Sequence, residues 1–278
     1  GDGDGDGEGW GDLDLPDDVE APAVAPVAGA TGVVCPDPGQ SPAVLWARGS
    51  ALAAHHVAAG SFETAMAMMN AQAGISHFAP LKSHFLNIFA ASRAALPAFP
   101  STAPQTVYLQ RDTDSRFTTP VIPTSIRLLV EKLRAAYKAT FEGKFSDALV
   151  MFKNILHSTL FIVADSRQEV NEIKELVGIC REYILGINLE LERKAMAQGG
   201  GDKGRQVELS AYFTHCKLQP AHLMLALRSA MTNSYKVKNF HMAGSFARRL
   251  LELNPKAEVA NQARKVAKLC DRNPVDQH

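Results

Sequence analysis

Apolar residues from Val44 onward recur at intervals of three and four positions, which is typical of helices with one buried face. The clearest helix is predicted by Ile126, Leu129, Leu133, Tyr137 and Phe141. Another helix follows Ser166 and Glu169, whose spacing is that of a capping box. Strand signals are nearly absent, and LFIVAD at 160–165 is the only candidate. The pattern therefore predicts an all-α fold.

Three short segments share one pattern, in which a small or polar residue precedes Phe, and Ala follows three positions later. They are GSFETAM (60–66), GKFSDAL (143–149) and KNFHMAG (238–244). We interpret each as the turn of a helical hairpin of tetratricopeptide or solenoid type, because Ala lets two helices approach closely. The phenylalanines are 83 and 95 positions apart, whereas a tandem array repeats at about 34. The spacing favours isolated hairpins in a helical scaffold, although any pair of packed helices can use such residues.

The beginning of the chain differs in composition from the rest. Residues 1–20 contain nine Asp and Glu and no Lys or Arg, and residues 19–42 are rich in Ala, Pro and Gly. Such a composition buries too little apolar surface to fold. We therefore expect a disordered linker over 1–43, acidic at first and then Ala/Pro-rich. The helical domain is predicted over 44–278, with a possible internal boundary in the irregular connection at 97–123.

Charge and cysteine usage argue against several classes of function. The whole chain is neutral, so the part after the acidic segment is mildly basic. Its Lys and Arg residues are interleaved with acids, and we expect no nucleic-acid partner. The four cysteines are far apart and form no C-x-x-C pair, so neither a disulfide framework nor a zinc site is predicted. No apolar run approaches the roughly 20 residues that span a bilayer, and we expect a cytoplasmic protein.

Residues that commonly carry catalysis or bind metals are present, but their spacing supports neither role. His55 and His56 are adjacent, so on a helix their side chains point about 100° apart. His215 and Cys216 are also adjacent, and together with His222 they show no metal-ligand spacing. We expect these residues at surface or turn positions. The sequence predicts no cofactor, no metal and no enzymatic activity.

Three other features bear on possible partner binding. Glu182, Glu190 and Glu192 are expected to face solvent on a charged helix. LLELN at 250–254 resembles a clathrin-box ligand, but its leucines are expected in a helix core. Trp10 is different, because an aromatic side chain in an acidic, unfolded segment has no core to join. We expect Trp10 to be a partner-binding residue of a docking segment.

Six longer segments support a family resemblance. They are HHVAAGSFETAM (55–66), EGKFSDALVMFKNIL (142–156), ICREYILGINLELERK (179–194), AYFTH (211–215), KLQPAHLMLALR (217–228) and KNFHMAGSFARRLLELNP (238–255). Together they resemble the C-terminal region of the alpha subunit of coatomer, the COPI vesicle coat. The stretch GEGWGDLDLP also resembles the acidic, Trp-containing linker of that family.

The resemblance implies a structural scaffold subunit that supports Golgi-to-ER and intra-Golgi vesicle transport. It implies assembly with the coatomer epsilon subunit and with other subunits such as beta-prime. It also implies recruitment by a small GTPase of the ARF family to the cytoplasmic side of Golgi and vesicle membranes. The residues that contact epsilon are not identified by the resemblance. The alternative function is a tetratricopeptide-like adaptor that binds peptides.

Three departures from the family limit what the resemblance implies. The upstream propellers, which carry the dilysine cargo site of the family, are not in this sequence, so no cargo residue is assigned. The β-rich, cysteine-containing end of the family is expected beyond NPVDQH, where this sequence stops. If epsilon contacts depend on that end, we expect this chain to bind weakly. Glycines at 199–201 also replace a connection that is usually more charged.

Overall fold

The computed structural model describes residues 31–33, 40–98, 103–111 and 119–277. Within these residues, eleven α-helices and a small sheet are present, which confirms the expected all-α class. The helices are α1 (Pro42–Gly49), α2 (Ala53–Ala59), α3 (Phe62–Ala73), α4 (Lys82–Ala91), α5 (Ile126–Phe141), α6 (Phe145–Thr159), α7 (Arg167–Gln198), α8 (Lys203–Phe213), α9 (Pro220–Lys236), α10 (Phe240–Glu252) and α11 (Ala257–Cys270). None of these described helices is long and apolar enough to cross a bilayer.

The three repeated segments form turns of one kind, with a left-handed residue two positions before Phe. This residue is Gly60 (φ 86°) between α2 and α3, Gly143 (φ 74°) between α5 and α6, and Lys238 (φ 63°) between α9 and α10. Glycine adopts a positive φ without steric cost, whereas lysine does not. The alanines three positions after Phe are fully buried: Ala65, Ala148 and Ala243. Each segment therefore closes a helical hairpin, as the pattern predicts.

Four short strands form an antiparallel sheet in which β3 pairs with each of the others. They are β1 (Thr31–Val33), β2 (Arg93–Leu96), β3 (Gln105–Arg111) and β4 (Thr119–Pro120). The expectation that 97–123 is irregular was therefore wrong, because QTVYLQR contains the β-branched and aromatic residues that favour a strand. The candidate strand at 160–165 does not form, and Phe161 is instead fully buried in the turn after α6.

The chain divides into two compact units, and the division falls within α5, α6 and α7. The first unit contains residues 132–153 and 175–277, and its core includes Leu227, Met231, Phe246 and Leu250. The second unit contains the described residues from 31 to 131 together with 154–174. Its core includes Trp46, Val57, Ile88 and Phe161. Each unit therefore has apolar residues packed into a core of its own.

The end of the described chain caps the first turn of α10. The carboxylate of Asp276 accepts hydrogen bonds from the backbone N–H groups of His241 and Met242, at 2.8 and 3.3 Å. Asn239 occupies the N-cap position, but its side chain accepts a hydrogen bond from the N–H of Gln277 at 2.9 Å. A residue distant in sequence thus satisfies the helix donors that a local cap usually satisfies.

Candidate functional site

Strands β2 and β3 form a hairpin whose base is fixed by Arg93. The guanidinium of Arg93 donates hydrogen bonds to the backbone carbonyls of Ala58 and Phe89. Its Cζ atom lies 3.5 Å from the centre of the Phe89 ring and 5.6 Å from that of Tyr108. Tyr108 pairs with Arg93 across the strands and packs edge-on against Trp46, with ring centres 5.7 Å apart. Hydrogen bonds and ring contacts therefore hold the hairpin on the core of the second unit.

Beyond this base, the hairpin is open to solvent. Residues 94–98 and 103–106 are all exposed, and Leu96 keeps 47% of its surface accessible. No charged side chain lies between Arg93 and Arg111. Among the described strands, β2 pairs only with β3, so its outer edge offers backbone donors and acceptors to another chain. An uncharged, exposed strand edge on a fixed base is the kind of surface that protein partners use.

His55 and His56 are buried, so the expectation of surface or turn positions was wrong. Each has only 6% of its surface accessible, because all sides of α2 are covered within the second unit. Burial, followed by the nearby charge of Arg111, lowers the pKa of His55 to about 4. The Nε2 atom of His56 lies 2.9 Å from the carbonyl oxygen of Ser50. Both rings therefore belong to the core around α2.

His222 is also buried, in a cluster that joins α5, α7 and α9 within the first unit. Its Nδ1 atom lies 2.7 Å from the hydroxyl of Tyr183, which also accepts a hydrogen bond from the N–H of Gln219 at 2.9 Å. The ring centre of Tyr137 is 5.6 Å from that of His222. Burial lowers the pKa of His222 to about 4 and raises that of Tyr137 to about 12. Both groups are neutral near pH 7, and the cluster stabilises the packing of these helices.

His215 and Cys216 lie in different surroundings despite being adjacent. His215 is exposed in the turn after α8, as expected, whereas Cys216 is buried beside Phe213 and Ala226. Burial raises the pKa of the Cys216 thiol to about 11, so it is protonated and a poor nucleophile near pH 7. His222 occupies the separate aromatic cluster. Within the described part of the chain, no group of three or more His, Cys, Asp and Glu residues is placed to hold a metal ion.

Glu190 is buried, so the expectation that it faces solvent was wrong. It has 1% of its surface accessible, and its two carboxylate oxygens each accept a hydrogen bond of 2.8 Å from Arg193. This two-point ion pair offsets the cost of burying the charge. Glu182 is partly exposed and accepts a hydrogen bond from the N–H of Lys217. Glu192 is exposed, as expected.

The structure describes one of the two short motifs considered for partner binding, LLELN at 250–254, but not the other, around Trp10. Leu250 is fully buried and Leu253 packs against the same apolar cluster, which confirms that the segment 250–254 belongs to a helix core. Trp10 lies outside the described residues. Its role in partner binding stays a prediction.

An open cleft of about 720 Å³ runs along α8 in the first unit. It is lined by Asp202, Gly204, Arg205, Val207, Glu208, Ala211, Tyr212, His215, Asn239, Met242 and Asp276. Several of its charged groups already have structural partners. Asp202 accepts from the first N–H groups of α8, Arg205 pairs with Glu208, and Asp276 caps α10. The hairpin is therefore the better candidate for a partner-binding surface.

Two features of the sequence are typical of this hairpin, which the expected irregular connection does not include. One is the β-branched and aromatic content of the segment that forms β3, with Thr106, Val107 and Tyr108 in a row, and the other is the absence of charge between Arg93 and Arg111. The prolines at positions 97, 100 and 104 favour a loop, because proline cannot donate a backbone hydrogen bond to a neighbouring strand. What separates a loop from a hairpin here is the anchoring by Arg93 and Tyr108, which depends on residues distant in sequence.

Comparison with known proteins identifies the family. The family described as the C-terminus of the coatomer (COPI) alpha subunit matches residues 1–278. Coatomer subunit alpha of Dictyostelium discoideum is 50% identical over 246 residues, which cover 87% of this chain and 20% of the relative. Coatomer subunit alpha-3 of Oryza sativa subsp. japonica is 44% identical over 275 residues, 97% of this chain and 22% of the relative.

A more distant relative gives the same result. Coatomer subunit alpha of Saccharomyces cerevisiae is 32% identical over 235 residues, which cover 84% of this chain and 19% of the relative. The chain thus spans about a fifth of the length of these relatives. Because the family match extends over the whole chain, the chain belongs to the family formed by the C-terminal regions of coatomer (COPI) alpha subunits.

Proposed function

We propose that this chain is a structural scaffold part of the COPI vesicle coat. The observation that carries the proposal is the match of the coatomer alpha family to residues 1–278. The relatives described above are all named coatomer alpha subunits. The helical hairpins also favour a scaffold, because they offer the broad, rigid surfaces through which stable complexes assemble.

We also propose where this coat acts and how it is recruited. The chain acts within a complex that is peripheral on the cytoplasmic side of Golgi and vesicle membranes. A small GTPase of the ARF family recruits this complex, of which beta-prime is another subunit. The complex supports Golgi-to-ER and intra-Golgi transport. These points rest on family membership alone.

We further propose that the coatomer epsilon subunit is a direct partner and that it binds the β2–β3 hairpin. A two-stranded hairpin is marginally stable without a third strand or another covering surface. Here the base is held by Arg93, so little conformational entropy remains to be lost when a partner covers the exposed part. Leu96 supplies exposed apolar surface. A partner that covers it would bury no charged side chain of the hairpin, because none lies between Arg93 and Arg111.

The experiment is a titration of the purified chain with purified coatomer epsilon, followed by size-exclusion chromatography with light scattering. A one-to-one complex is expected. The variant Leu96→Asp should weaken binding about tenfold or more, because it places a charge in an apolar contact. The matched control is Leu86→Asp on α4, where Leu86 is 52% exposed. We expect this control to bind like the original chain.

Two results would count against different parts of the proposal. If no complex forms up to high micromolar concentrations, direct assembly of this chain with epsilon is wrong. If a complex forms and Leu96→Asp binds as tightly as Leu86→Asp, the scaffold role stands and the hairpin is not the contact. Far-UV circular dichroism of both variants verifies that each is folded.

A further inference from the structure

The solvent face of α11 carries a group of basic residues. The opposite face packs on α10 and buries Ala260, Ala263 and Cys270. Three exposed cations lie on the helix and a fourth in the turn that follows it: Arg264, Lys265, Lys268 and Arg272. At about 100° per residue, the three helical cations fall within roughly 100° of the helix surface. We refer to these four residues as the α11 basic face.

The basic face has little acidic compensation nearby. Arg264 and Lys268 are four positions apart, and Lys265 and Lys268 are three apart, so their like charges repel. Among the described residues, none of the four cations forms an ion pair with a carboxylate. The neighbouring Asp271 instead pairs with Arg248 at 3.0 Å. The positive charge of this face is therefore available to an anionic partner.

We propose that residues 1–20 of the same chain bind the α11 basic face. This acidic segment contains nine Asp and Glu and no Lys or Arg, so its charge is complementary to that face. It also contains Trp10, Leu13 and Leu15, which can contact Leu269, whose side chain is 42% exposed beside the cations. Apolar contact with Leu269 would therefore add to the affinity that charge attraction provides.

Covalent connection favours this occupant over a free acidic molecule. A segment tethered through a flexible linker is present at an effective concentration of the order of millimolar. Residues 21–30, which connect the acidic segment to β1, have the Ala, Pro and Gly content of such a linker. The segment therefore occupies the face unless a stronger anionic partner displaces it. This inference goes beyond the proposed coat function and does not depend on it.

The test is zero-length carbodiimide cross-linking of the full chain, followed by mass spectrometry. Cross-links are expected from acids of residues 1–20 to Lys265 and Lys268. Exposed lysines elsewhere in the first unit, Lys132 and Lys138, serve as internal controls. Salt of about 0.5 M should suppress the cross-links strongly, because it screens charges beyond a few ångströms. A mixture of isotope-labelled and unlabelled chains shows whether each cross-link lies within one chain.

A second measurement follows Trp10 by fluorine labelling of tryptophan and magnetic resonance. The double variant Lys265→Glu and Lys268→Glu should shift the Trp10 resonance towards that of the chain in high salt. The double variant Lys132→Glu and Lys138→Glu changes the net charge equally and should leave the resonance in place. The resonance of Trp46, which is 2% exposed, reports that the core stays folded.

Three results would overturn the proposal. The first is cross-links spread over exposed lysines without preference for Lys265 and Lys268. The second is cross-links found only between different chains. The third is binding of the full chain to vesicles rich in phosphatidylserine through Lys265 and Lys268 while the Trp10 resonance is unchanged, which would make the α11 basic face a lipid site.

Discussion

Replacing Gly186 by Ala tests the packing at the centre of the first unit. Gly186 lies within α7, and a Cβ atom at this position would lie 2.7 and 2.8 Å from two atoms of the Phe213 ring. It would also lie 3.2 Å from the Sγ of Cys216. Phe213 has 2% of its surface accessible, so its ring has little room to move away. The contact between α7 and the end of α8 therefore requires glycine here.

Two opposing effects determine the expected stability of Gly186→Ala. Alanine in a helix interior is favoured over glycine by about 0.5–1 kcal/mol. Overpacking of a buried contact costs about 1–3 kcal/mol. We expect the clash to win and the free energy of unfolding to fall by roughly 1–2 kcal/mol. The matched control is Gly178→Ala in the same helix, where an added Cβ meets nothing within 4 Å. It should raise stability by about 0.5–1 kcal/mol.

Urea denaturation followed by far-UV circular dichroism measures both variants. The difference between them isolates the steric cost, because the propensity gain is common to both. A third variant, Phe213→Leu combined with Gly186→Ala, should cost less than the sum of the two single changes, since the smaller side chain relieves the clash. Equal stability changes in Gly186→Ala and Gly178→Ala would refute the packing argument.

Three further predictions follow from geometry described above. Gly143 and Lys238 both have a positive φ, which glycine adopts more easily than other residues. Gly143→Ala should therefore lower the free energy of unfolding by about 1 kcal/mol, and Lys238→Gly should raise it by up to about 1 kcal/mol. Melting temperatures that change in the same direction in both variants would contradict this. Asp276→Ala should lower the free energy of unfolding by about 1 kcal/mol, because it removes the cap of α10. Asp271→Ala removes only an exposed ion pair and should lower it by a few tenths of a kcal/mol. Equal decreases in the free energy of unfolding, measured by urea denaturation, would rule out the cap. Because the pKa of His222 is about 4 in the folded chain and 6.5 as its ordinary value, the unfolded chain binds more protons between these pH values. His222 should therefore contribute a loss of stability of up to about 3 kcal/mol as the pH drops from 6.5 to 4, in addition to the loss that His55 contributes over the same range. His222→Gln should reduce the slope of that part of the pH profile and leave the contribution of His55, and an unchanged slope would show that His222 contributes nothing.

Local features of the helices could be predicted from the sequence. Ser166 accepts a hydrogen bond from the N–H of Glu169 at 3.2 Å, as a capping box requires. The Glu169 carboxylate bonds to the N–H of Asp165 at 2.6 Å, one residue before the predicted partner. Helix faces and hairpin turns are determined by residues a few positions apart, so periodicity and turn chemistry were sufficient to predict them.

Burial of polar side chains could not be predicted in the same way. His222 and Glu190 look like ordinary polar residues on amphipathic helices until Tyr183 and Arg193 are placed beside them. Tyr183 is 39 positions from His222, and no spacing rule links the two. The candidate hairpin was missed for a similar reason, because the contact between Tyr108 and Trp46 that fixes its base spans 62 positions.

The exposed part of the β2–β3 hairpin has a consequence for copies of the chain that lack a partner. An uncharged strand edge can pair with the same edge of another copy, and no Lys or Glu between Arg93 and Arg111 opposes this. Orphan chains should therefore self-associate as their concentration rises, and co-expression with the partner should improve their yield. If a partner covers this edge as proposed above, copies left without it would be exposed to chaperones and proteases in a cell, and their abundance would follow that of the partner.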